Sequence, residues 1–123
     1  MTVAIQSIYS TYRYRDAPAA IDFLERAFGF ERRPGGTLEH SELTHGRGMV
    51  MVGTRKEGDP FETGRAVVYV IVGDPDARHD RAKAAGATIV MELTDQPYGS
   101  REFAAEDPEG NVWSFGTYDP FAA

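Results

Sequence analysis

One arrangement occurs twice in this chain: a strand-like run, a helix set between an aspartate and a glycine, then further strand-like segments. In the first copy the run from Ala4 to Tyr14 meets Asp16, followed by Ala17-Pro18-Ala19-Ala20-Ile21-Asp22-Phe23-Leu24-Glu25-Arg26-Ala27-Phe28 and Gly29. Asp16 suits an N-cap, and Pro18 is tolerated in a first turn whose amide donors are free. Ile21, Leu24 and Phe28 fall on one apolar stripe, and Gly29 suits a left-handed stop.

The second copy opens with Ala66-Val67-Val68-Tyr69-Val70-Ile71-Val72, apolar on both faces. Asp74 then caps a helix with Pro75 at its first position, expected to run to about Ala85 and end at Gly86. The Asp-to-Gly spacing is thirteen residues in the first copy and twelve in the second. Strand-like segments follow each glycine: 31–33, 38–43 and 49–52 in the first copy, 87–92, 101–106 and 112–118 in the second. Each copy therefore reads β-α-β-β-β.

A lone unit of this kind leaves a sheet face bare, whereas two can place helices outside and enclose a cavity. The expected fold is α+β, with two βαβββ modules forming a curved mixed sheet around a cavity and helices on its outer face. All of residues 1–123 would form one domain, with module one about 1–56 and module two about 65–123. Residues 54–64, with two glycines, a proline and many charges, read as the linker.

The final strand pair carries the sharpest local signal. Asp107-Pro108-Glu109-Gly110 suits a type I turn: an acceptor first, proline's fixed φ second, glycine last. Beyond it Trp113 and Phe115 share one face of a strand, and Val112, Ser114, Gly116 and Tyr118 share the other. The aromatic pair should face a packed layer, and the smaller set should line a cavity.

Composition narrows the function class. The chain is 123 residues long and 41% apolar, enough for one core. No apolar run nears the roughly 18 residues a spanning helix needs, so no membrane partner is expected. The first residues lack the basic flank and apolar core of a secretory signal, and the cytoplasm is the expected compartment. Cysteine is absent, which excludes disulfides and thiolate chemistry. The net charge of −6, without a basic stripe, argues against nucleic acid. An acidic surface keeps a protein soluble and would also attract a cationic ligand.

Three pieces in this order resemble the vicinal oxygen chelate superfamily, which includes glyoxalases, extradiol dioxygenases and bleomycin-resistance binding proteins. They are Asp16-Ala17-Pro18-Ala19-Ala20-Ile21-Asp22-Phe23-Leu24 with Phe28-Gly29-Phe30; Ala84-Ala85-Gly86-Ala87; and Tyr98-Gly99-Ser100-Arg101-Glu102-Phe103 with Asp107-Pro108-Glu109-Gly110-Asn111-Val112-Trp113. Gly-Ser-Arg-Glu-Phe and Asp-Pro-Glu-Gly-Asn look most like the bleomycin-resistance branch. The resemblance implies paired βαβββ modules and a homodimer. In the metal-using branches it also implies His and Glu ligands on sheet strands.

Carried over by spacing, those ligands would fall near Tyr9, near Met51, between Val67 and Tyr69, and at Ser114. None of these is His, Asp or Glu, so no metal and no cofactor are expected. Of the histidines, His40 shares a strand face with Glu42, a pair better suited to a strand edge or dimer contact than to a metal. His45 in a hairpin turn and His79 on the second helix are expected to be solvated. Glu102 and Glu106 read as part of a surface salt-bridge ladder, with Arg101 free to reach a neighbouring carboxylate and pin the hairpin.

No nucleophile elbow, phosphate loop or Ser–His pairing is present, so no catalytic residue is assigned. What remains for a site is aromatic and thioether: Tyr9, Met49, Met51, Tyr69, Ser114 and Tyr118, with core filling as the competing role. Such a set suits a planar or amphipathic organic guest. Tyr12 and Tyr14 alternate to the opposite face and should be packed. The expected function is metal-independent binding of a small organic ligand, in the manner of a drug-sequestering protein. Its rivals are a metal-dependent lyase, isomerase or dioxygenase with displaced ligands, and a structural partner whose cavity is self-filled.

Overall fold

A computed structural model describes residues 7–121. In chain order the elements are β1 (Ser10–Tyr14), α1 (Ala17–Phe28), β2 (Glu31–Arg32), β3 (Ser41–His45), β4 (Gly48–Thr54), β5 (Val67–Ile71), α2 (Pro75–Ala84), β6 (Thr88–Asp95), β7 (Arg101–Glu106) and β8 (Val112–Gly116). The chain is α+β, built of two βαβββ modules. It divides into two compact units. One holds the described residues through Glu25 with Gly29–Gly64, and the other holds Arg26–Phe28 and the described residues from Arg65 onward.

Both units have the same topology. The first sheet is ordered β1-β4-β3-β2, with β1 parallel to β4 and the other pairs antiparallel. The second is ordered β5-β8-β7-β6, again with only its first pair parallel. A helix carries the chain from the parallel edge strand across the sheet, because parallel neighbours cannot be joined by a tight turn.

In the first unit, Asp16 caps α1 by accepting the Ala19 N–H at 3.1 Å. Gly29 ends it at φ 76° in the left-handed region, and Phe30 N–H closes on the Leu24 carbonyl at 3.1 Å. Ile21 and Leu24 are buried with Leu43, Val50 and Val52, and Tyr12 and Tyr14 are buried as the alternation required. The first strand was expected from Ala4; residues 4–6 lie outside the described residues, and β1 is formed from Ser10. The next strand begins at Ser41 rather than residue 38. A turn is closed there by Thr37 N–H on the His40 carbonyl at 2.7 Å, which uses backbone groups a ladder would need.

In the second unit, Asp74 Oδ1 accepts the Ala77 N–H at 3.1 Å, repeating the first cap. The helix ends at Ala84, with Ala85 as its cap and Gly86 at φ 92°. Its buried stripe is Pro75, His79 and Ala82, so His79 is not solvated as expected. Its ring lies edge-on to Phe103 at 5.4 Å, with Nε2 2.9 Å from Glu92 and Nδ1 3.1 Å from Asp80. Helical spacing from Pro75 and Ala82 decides this: the position faces the sheet, and the two carboxylates satisfy the polar ring.

Around it Phe103 stacks on Phe115 at 5.0 Å, and Phe28 meets Phe115 edge-on at 5.0 Å and Trp113 at 5.8 Å. The expected β-turn is present. Gly110 N–H closes on the Asp107 carbonyl at 3.1 Å, with Gly110 at φ 90°. No helix among the described residues is long and apolar enough to cross a membrane.

Candidate ligand site

The second sheet covers one face and leaves the other open. Trp113, Phe115, Phe103, Ala105 and Val70 lie on the covered side. On the open side, register groups Val67 with Val112 and Glu106, Tyr69 with Ser114 and Ala104, and Ile71 with Gly116 and Glu102. Val67, Tyr69 and Ile71 are all exposed.

A polar network crosses this face. Tyr69 O–H donates to Glu102 Oε2 at 3.0 Å and Tyr98 O–H donates to Oε1 at 2.8 Å. The Tyr69 oxygen in turn accepts the Tyr118 N–H at 3.0 Å and lies 3.4 Å from Ser100 Oγ. Ser100 Oγ also accepts the Thr117 N–H at 3.2 Å, tying the segment after β8 to the start of β7. Gly116 makes the crossing possible: a Cβ there would overlap the Tyr69 hydroxyl and Glu102 Cγ. Tyr98 and Tyr118 meet edge-on at 5.9 Å, and both rings remain exposed.

Glu102 is therefore not part of a surface ladder with Glu106, as expected, but only 4% exposed. Burial pushes its carboxyl up, yet the hydrogen bonds from Tyr98, Ser100, Tyr69 and Gln96 outweigh that and hold it below the ordinary carboxylate value. Both phenols move the other way. Tyr69 is raised by burial and by the neighbouring Glu102, against opposing bonds from Ser100 and Tyr118, whereas Tyr98 is raised chiefly by its bond to Glu102. Arg101, on the opposite face, bonds Asp76 at 2.7 Å and Asp95 at 3.0 Å. It thus pins β7 to both the α2 start and the end of β6.

Of the six residues singled out from sequence, Tyr69, Ser114 and Tyr118 come together in the second unit. Tyr118 does so although β8 ends at Gly116, two residues earlier than expected, because its backbone N–H is held by the Tyr69 oxygen. In the first unit Met49 and Met51 share a half-buried sheet face. Met51 pairs with Thr11 and Glu42, and Thr11 Oγ1 lies 3.9 Å from its sulfur. Tyr9 precedes β1 and is exposed. Sequence reasoning missed Glu102, Tyr98 and Ser100, and placed Gly116 on the cavity face without its role in the crossing. The available signal was the hairpin register, which places Glu102 beside Gly116 on the Ser114 face.

A divalent metal is what the family resemblance implies, and the donors do not fit one. Tyr9, Met51, Tyr69 and Ser114 offer neutral phenols, a soft thioether and an alcohol, whereas such ions are held by imidazoles, carboxylates or thiolates. The Tyr69 hydroxyl is moreover committed to Glu102. Among the described residues no group of three or more His, Cys, Asp or Glu side chains converges. His40 and Glu42 do meet, at 3.2 Å, beside a cleft of about 190 Å³ lined also by Arg33, Pro34, Gly35 and Gly36. The other Glu42 oxygen is taken by Arg33 at 3.0 Å, so the pair serves as a surface clamp.

Two βαβββ modules in one chain, one presenting an open tyrosine-lined sheet face, define the class of fold. The chain belongs to the Glyoxalase/Bleomycin resistance protein/Dioxygenase superfamily, whose profile matches residues 7–115. It is 36% identical to the uncharacterized protein Mb0911c of Mycobacterium bovis, over 82% of this chain and 76% of that one. The crystal structure of TioX from Micromonospora sp. ML1 superposes with a TM-score of 0.77 at 33% identity, covering 96% of this chain and all of that one. A family enzyme from Burkholderia phytofirmans PsJN, at 20% identity and TM-score 0.74, covers 88% of this chain and 94% of that one and shares the fold.

Proposed function

We propose that this protein binds a small organic molecule without a metal ion and holds it rather than transforming it, as a drug-sequestering protein does. The observation that carries the reading is the Tyr69–Glu102–Tyr98 network on an open sheet face, beside the two strands, β5 and β8, where the metal-using branches would set ligands. Tyrosine rings supply apolar area and fixed hydroxyls, which suits a planar guest. The polar groups of the network are engaged with one another: the Glu102 oxygens each accept a phenol proton, and the Ser100 hydroxyl accepts the Thr117 N–H.

Affinity in such a site comes from burying ring surface, less the freedom lost on binding. The acidic net charge favours approach of a cationic guest. The reading includes a homodimer in the cytoplasm. Val67 and Ile71, both exposed on the edge strand β5, support association, since apolar side chains gathered on one strand favour coverage.

Calorimetry of metal-stripped protein against a panel of planar and cationic antibiotics tests the binding. Micromolar or tighter binding to a panel member supports it, and uniform absence of binding counts against it. Stoichiometric zinc, nickel, manganese or iron in the purified protein, with an activity lost on chelation, would replace it with a metal-dependent lyase, isomerase or dioxygenase.

A further inference from the structure

Glu102 poses a problem of charge. It is buried, yet among the described residues no lysine, arginine or histidine pairs with it. The nearest guanidinium in sequence, Arg101, is turned to Asp76 and Asp95. Its oxygens are held by neutral donors instead, the phenols of Tyr69 and Tyr98. A buried carboxylate without a counter-charge is costly in a fold, and an apolar residue there would be cheaper. Neutral hydrogen bonds lessen the cost of burial while leaving the negative field uncancelled.

That field reaches the surface through the tyrosines. Each phenol donating to a carboxylate is polarised, so its oxygen becomes a stronger acceptor. Tyr98 and Tyr118 stand beside it with their rings exposed and edge-on to one another, and an aromatic face attracts a cation as well as an apolar ring. Buried anion, polarised phenol oxygens and exposed rings all favour the same kind of guest.

We propose that Glu102, Tyr69, Tyr98 and Tyr118 form the cation-selecting end of the ligand site, taking a protonated amine or guanidinium attached to a planar body. Tyr98 and Tyr118 touch the guest. Glu102 acts through the phenols as a positioning residue that keeps their protons inward and their oxygens negative. This rests on the binding function proposed above and adds the chemical class of the guest.

Two dyes of nearly equal shape separate charge from shape: 9-aminoacridine, protonated at neutral pH, and acridine, neutral there. Fluorescence titration of the full-length protein should show the cation binding about tenfold tighter. Glu102→Gln should erase most of that preference, read as the ratio of the two dye affinities in each protein. Should Glu102→Gln fail to fold by circular dichroism, Tyr98→Phe carries the test. Tyr98 is exposed, and the variant keeps the ring but loses the oxygen. It should lower the ratio of cation to acridine affinity by roughly threefold.

Equal binding of the two dyes by the parent protein, or a cation preference undiminished in the variants, overturns the charge assignment and leaves the binding function standing. If neither dye binds while a neutral antibiotic of the panel does, the charge assignment falls alone. If no dye and no antibiotic binds, both fall together.

Discussion

Tyr69 passes its hydroxyl over Gly116 to reach Glu102, through the space that a β-carbon on Gly116 would fill. The glycine is required by this close approach between neighbouring strands. Gly116→Ala should cost about 1–3 kcal/mol, as overpacking of a fitted site does, unless Tyr69 swings outward. Urea unfolding measures the cost. If stability is kept, loss of ligand affinity should report the displaced tyrosine. A variant as stable as the parent and unaltered in binding would show that the crossing has no importance.

Acid should weaken the protein through Glu102. The folded carboxyl titrates below its ordinary value, so its contribution is complete above the ordinary carboxylate range. That contribution fades as pH falls through the folded value. Glu102→Gln should therefore flatten the acid limb of the stability–pH curve, read as urea midpoints across a pH series. Tyr69 and Tyr98 carry the opposite sign. Both are raised, so their contribution is intact below the ordinary tyrosine value and is lost as pH climbs through the folded one. An acid limb unchanged by Glu102→Gln would rule out the phenol-held carboxylate.

Asp107 organises the last hairpin. Its buried carboxylate accepts the N–H groups of Glu109 at 3.0 Å and Asn111 at 3.1 Å, the Asn111 amide at 3.1 Å and the Trp113 indole at 3.1 Å. Asn111 then passes the order on, its Oδ1 accepting the Ala66 N–H at 2.8 Å just before β5. Asp107→Ala strands these donors and should cost about 2–4 kcal/mol, with a shift in Trp113 fluorescence that reports the lost indole bond. A loss well under 1 kcal/mol would mean that water replaces the carboxylate without penalty.

The two helix caps offer a test of the internal repeat. Asp16→Ala and Asp74→Ala each remove one side-chain acceptor from a first turn, at the same 3.1 Å distance in both units. Each should cost about 1 kcal/mol in thermal unfolding. Costs that differ widely would show that the repeated motif is not energetically equivalent in the two modules.

Much of the fold was legible because it is written in short-range signals. Asp16 and Gly29 bracket α1 three and five residues from what they cap, and β7 lies where its pattern put it, at Arg101–Glu106. The misjudged residues all depend on what lies across a sheet or beneath a helix. His79 among charges reads as solvated, and only its place over Phe103 makes it buried. Glu102, five residues before Asp107, reads as surface charge, and only Gly116 across the ladder opens room for it.

Alternation and capping determined the two βαβββ modules, because such patterns act between residues close along the chain; the grouping of Tyr69 with Ser114 came instead from the spacing that the family resemblance implies. Only the folded sheet decided that a carboxylate would sit beneath two phenols. That outcome needs β5, β7 and β8 side by side, and contacts between residues 31 to 49 positions apart leave no periodic trace in a single sequence.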